Sequence, residues 1–69
     1  MNKAKIRFVL HYAMYREDWF DVIYESGRVV TYTLPDLPKT VQAFLQESNN
    51  VRKQYSKVFK REEWIYSCS

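Results

Sequence analysis

The sequence predicts an α+β domain, a three-stranded antiparallel meander packed by one or two C-terminal helices. Three observations carry this. Residues 4–14 alternate between apolar and polar, two further β-rich runs flank Ser26-Gly27, and from Val41 onward the apolar spacing becomes that of a helix. A chain of 69 residues makes one domain, 1–69, with a small core. Its 46% hydrophobic and 17% aromatic content is too high for a disordered chain.

In the first strand Ile6, Phe8, Leu10, Tyr12 and Met14 share one face, and Lys5, Arg7, Val9 and His11 share the other. Tyr15 to Asp18 is a polar connection of hairpin length. Gly27 is the only glycine, and a chain that uses glycine once places it where a positive φ is hardest to avoid. A two-residue turn at Ser26-Gly27 sets Glu25 opposite Arg28, Tyr24 opposite Val29, Ile23 opposite Val30, Val22 opposite Thr31 and Asp21 opposite Tyr32.

Pro35-Asp36-Leu37-Pro38 ends the sheet, because proline cannot donate to a ladder. Asp36 is the expected N-cap of the following helix. Val41, Phe44, Leu45, Val51, Tyr55, Val58 and Phe59 form an apolar stripe at about 100° per residue, which roofs the greasy face of the meander. Ser48-Asn49-Asn50 interrupts the stripe, giving two helices over 38–47 and 50–60 or one kinked helix over 38–60. Residues 62–69 add a fourth short strand or pack Trp64 against the open end of the core.

The net charge of +3 conceals segregation. Residues 1–16 carry +4, residues 17–36 carry −4, residues 37–61 carry +5, and Glu62 and Glu63 close the count. That pattern argues against a uniformly basic nucleic-acid tail. Cys68 is the only cysteine, so no internal disulfide forms and a reducing cytoplasmic setting is expected. Charge at alternate N-terminal positions does not read as a signal peptide, and no apolar run reaches the ~18 residues of a membrane span.

Catalysis finds little support. His11 is the single histidine, expected to be solvated on the polar face of its strand, and nothing places it beside Cys68. One Cys and one His cannot build a structural zinc site, and Glu17, Asp18 and Asp21 serve to keep a turn solvated. One glycine cannot make a phosphate-binding loop. The expectation is a non-enzymatic chain with no cofactor and no metal.

Two surfaces remain. Glu17, Asp18 and Asp21 lie near Trp19 and Tyr32, and aromatic anchors among steering charges suit a protein partner. Lys53, Lys57, Lys60 and Arg61 fall together on the wheel of the expected second helix, a cationic face for RNA or DNA. The leading expectation is a protein-protein interaction module acting as inhibitor or adaptor. The alternative is a nucleic-acid-binding module. No membrane partner is expected, and segregated charge also allows a homodimer.

Between Tyr12 and Ser48 the layout resembles the KTSC family of short domains. The resemblance rests on Tyr12, Phe20-Asp-Val-Ile-Tyr-Glu-Ser26-Gly27, Thr31-Tyr32-Thr33, Pro38, Val41, Phe44-Leu45 and Ser48. It covers about half of the chain. The family continues with a glycine and an aromatic-Asn turn, where this chain has Asn49-Asn50-Val51. Its members lack an agreed activity, and some accompany tRNA-charging enzymes, so the resemblance implies a mild preference for an RNA link.

Overall fold

The computed structural model describes residues 5–69; Ala4, where the first strand is expected to begin, lies outside them. The order of elements is β1 (Ile6–Met14), β2 (Glu17–Tyr24), β3 (Val29–Thr33), a 3-10 turn (Leu34–Asp36), α1 (Lys39–Glu47), β4 (Asn50–Ser56) and β5 (Arg61–Ser67). The strands form one five-stranded antiparallel sheet in the order β3-β2-β1-β5-β4. The three-stranded meander is present as one side of this sheet, but the expected helical C-terminal half is not. Only α1 is helical there, and it carries the chain from one sheet edge to the other.

Residues 50–60 are β4 and a turn rather than a second helix, and residues 62–69 contribute most of an inner strand. The apolar stripe explains the error. Val41 is fully buried and Phe44 and Leu45 pack on the core, whereas Val51, Tyr55, Val58 and Phe59 are all exposed. A stripe that buries only its first half has no helical core to join. Trp64-Ile65-Tyr66 instead offers β4 a strongly β-prone partner, pairing with Lys53, Arg52 and Val51, and tertiary pairing overrides local propensity.

Gly27 does sit at a reversal, with φ of 92°, but the loop is one residue longer than expected. The Gly27 N–H donates to Tyr24 O at 2.9 Å and the Tyr24 N–H donates to Arg28 O at 2.9 Å. These bonds define a three-residue loop, Glu25-Ser26-Gly27, with glycine in the left-handed position. The longer loop slips the register by one: Ile23 faces Val29, Val22 faces Val30, Asp21 faces Thr31, Phe20 faces Tyr32 and Trp19 faces Thr33. A slip of one residue sends every β3 side chain to the opposite face.

The β1–β2 connection is tighter than expected. Tyr15 and Arg16 alone make the turn, with φ of 53° and 64°, and Glu17 and Asp18 already belong to β2. Asp36 does not cap α1. It accepts the Thr33 hydroxyl at 3.1 Å, while Pro38 occupies the N-cap and its carbonyl accepts the Val41 and Gln42 N–H groups, each at 3.0 Å. At the other end the Ser48 hydroxyl donates to Phe44 O at 2.7 Å, closing the helix where the polar triplet begins.

The helix lies on the face opposite to the one its stripe was expected to roof. Val9, Phe20 and Val22 from the sheet pack with Leu37 and Val41, and Tyr24, Tyr32 and Tyr66 border them. Ile6 joins this core because a register shift between Ile6 and Phe8 turns it to the helix side. Full burial of Val9, Val22 and Val41 contributes about 1.5–3 kcal/mol each.

Candidate docking surface

Residues directly opposite across a ladder share a face, so the register maps the side of the sheet away from α1. Its middle row reads Thr31, Asp21, Leu10, Ile65 and Arg52 from β3 to β4. Val29, Ile23 and Phe8 lie on one side of that row, and Thr33, Trp19 and Tyr12 on the other. No described element lies over this face. Antiparallel sheets with one solvated face normally turn polar residues outward there, whereas Phe8, Leu10, Ile23 and Ile65 make this one apolar at its centre.

A polar network runs beside the apolar patch. Tyr12, 5% exposed, donates its hydroxyl to Asp21 Oδ1 at 2.8 Å, and the Thr31 hydroxyl donates to the same oxygen at 2.8 Å. The Arg61 guanidinium covers the Tyr12 ring and donates from Nε to Glu63 Oε2 at 2.9 Å. Gln54 Nε2 donates to Glu63 Oε1 at 3.0 Å, so Glu63, at 3% exposure, has a partner on each oxygen. Burial, reinforced by Asp21, pushes the Tyr12 phenol up to about 12.

Of the residues expected to face a protein partner, the sheet brings Glu17, Trp19 and Asp21 together on the open face of β2. Trp19 is half-buried, its indole N–H donating to Met14 O at 3.0 Å. The register slip removes Tyr32 to the helix side, opposite Phe20. Asp18 also faces that side, where it holds His11 Nε2 at 2.9 Å. His11 is not solvated as expected. It is half-buried, stacks on Phe20 with ring centroids 4.5 Å apart, and lies 5.7 Å from Trp64. Among the described residues no serine or cysteine hydroxyl or thiol is hydrogen-bonded to it.

The four cations expected on a helix stand on the β4–β5 hairpin. Lys53 pairs with Glu62 at 3.2 Å and lies 5.5 Å from the centroid of the Trp64 ring. Lys57 and Lys60 flank exposed Val58 and Phe59 in the turn, and Lys60 has φ of 54°. Arg61 leaves this group, since its charge is spent on Glu63 and Tyr12. Ile65, Leu10 and Arg52 were missed as surface residues. The alternation of 6–14 showed an apolar face, but not which face the helix would leave bare.

A concavity of about 830 Å³ lies elsewhere, lined by Lys5, Ile6, Thr40, Phe44, Glu47 and others, a broad groove of mixed charge beside α1. A hollow of about 320 Å³ lies on the open face, lined by Arg7, Phe8, Arg52, Ile65 and Ser67. Among the described residues no three His, Cys, Asp or Glu side chains gather as a metal ion would require, and no helix is long and apolar enough to cross a membrane. No family model matches the chain, and no curated protein or solved structure matches it.

Proposed function

We propose that the chain is a small non-enzymatic protein-interaction module, an inhibitor or adaptor of the cytoplasm, which docks through the open face of its sheet. One observation carries this. The helix α1 roofs one face only, and half-buried Leu10, Ile23, Ile65 and Trp19 lie on the other with no described element over them, Glu17 and Asp21 beside them. Apolar anchors bordered by charge are the composition of a protein interface. Among the described residues no hydroxyl or thiol is hydrogen-bonded to the His11–Asp18 pair, which favours binding over catalysis.

Capture of partners from host lysate by the immobilised chain tests this, with Trp19→Ala and Ile23→Lys as open-face variants. Both should lose the captured protein while keeping the wild-type circular dichroism spectrum. Folded variants that capture as wild type does would end the proposal.

A second reading has its own observation. Lys53, Lys57 and Lys60 share one hairpin with the exposed rings of Tyr55 and Phe59, which is the pairing of cation and stacking platform that single-stranded nucleic acid uses. The KTSC resemblance leans the same way, toward RNA. Binding to random single strands should then weaken steeply with salt, and absence of binding at low salt would remove this reading.

A further inference from the structure

We propose that the occupant of the open face is a second copy of this chain, packed sheet against sheet about a two-fold axis that runs parallel to the strands between β1 and β5. This rests on the docking proposal and names its partner. The middle row, Thr31-Asp21-Leu10-Ile65-Arg52, is self-complementary about that axis. Reversing the row sets Leu10 of one copy over Ile65 of the other and Asp21 over Arg52. Each contact occurs twice, as an isologous interface demands. The other two-fold in the plane of the sheet, perpendicular to the strands, would set Asp21 over Asp21 and Arg52 over Arg52. Charge therefore selects one of the two arrangements.

Both charges are free to make the new contact. The hydrogen bonds to Asp21 fall on Oδ1, leaving Oδ2, and among the described residues Asp21 has no basic partner and Arg52 no acidic one. In this arrangement β3 faces no strand of the other copy. The four strands that overlap, at about 4.8 Å each and seven residues at about 3.3 Å, cover roughly 19 by 23 Å in projection, the size of a small, weak interface rather than the ~800 Å² per side of a standard one. Association through the β4 edge is disfavoured, because β4 carries Arg52 and Lys53 along its exposed rim.

Sedimentation equilibrium of the full chain, from micromolar to millimolar concentration, should show a species of twice 8.4 kDa. Arg52→Asp and Asp21→Arg should each raise the dissociation constant at least about tenfold, since each puts like charges together twice. An equimolar mixture of the two variants should recover wild-type affinity, because the heterodimer restores both pairs. Leu10→Gln disturbs none of the hydrogen bonds described above and should also weaken the dimer, which guards against a folding defect in Asp21→Arg. A wild-type mass of 8.4 kDa throughout would overturn the proposal, as would a dimer indifferent to Arg52→Asp and Leu10→Gln. A monomer that still captures a different protein in a Trp19-dependent way would overturn the second copy alone. A dimer whose capture ignores Trp19 would overturn the foreign partner alone.

Discussion

The guanidinium carbon of Arg61 lies 3.5 Å from the centroid of the Tyr12 ring, and the same side chain neutralises Glu63. One arginine thus covers a buried phenol and pairs a buried carboxylate on a face that no described element covers. Cation–π contact and charge pairing make it a structural residue rather than a free cation.

Arg61→Ala should therefore destabilise the fold by about 3 kcal/mol, because it strands the Glu63 charge in the sheet. Adding Glu63→Gln should recover a large part of that loss. Urea unfolding of the two single variants and the double variant checks this, and an additive double variant would refute it.

Alkaline pH should destabilise the protein through Tyr12. Its folded value is raised from 10.0 to about 12, chiefly by burial and then by Asp21, so the native state holds the proton that the unfolded chain releases. Stability is complete below pH 10.0 and falls by about 1.4 kcal/mol per pH unit as pH rises toward 12. Tyr24, raised by burial and by neighbouring Tyr32, adds to the slope. Tyr12→Phe should flatten it, as read from denaturant midpoints between about pH 9 and pH 12.

The β1–β2 turn holds two non-glycine residues at positive φ, Tyr15 and Arg16, where Asn-Gly is the preferred pair. Replacing them together with Asn-Gly should stabilise the chain by about 1 kcal/mol, a rise of roughly 4–8 °C in Tm. An unchanged Tm would show that the turn carries no such cost.

Gly27→Ala should cost about 1–2 kcal/mol. An added Cβ would meet no atom within 4 Å, so the penalty is one of backbone conformation alone. Gly27→Asn, which tolerates a left-handed conformation, should lose much less in the same thermal melt.

The strands β1 to β3 were legible because alternation and a lone glycine report local geometry. Their register was not, since Ser26-Gly27 reads as a two-residue loop until the Tyr24–Arg28 pairing shows three residues. That single residue decided whether Tyr32 joined Trp19 or the core. β4 was misread because Val51, Tyr55, Val58 and Phe59 fit a helical period by coincidence, and their exposure follows only from the pairing with β5. Of the open face, Glu17, Trp19 and Asp21 were legible as neighbours in β2. Arg52 and Ile65 become its neighbours only through contacts between the two ends of the chain.

β5 sits between β1 and β4, so this late strand occupies the interior of the sheet and zips onto one of the earliest. During synthesis β1 therefore waits with its backbone ladder unclosed until residues 61–67 clear the ribosome. Such long-range closure gives a high contact order, slow folding and a nascent chain exposed to aggregation or chaperone capture in the interval.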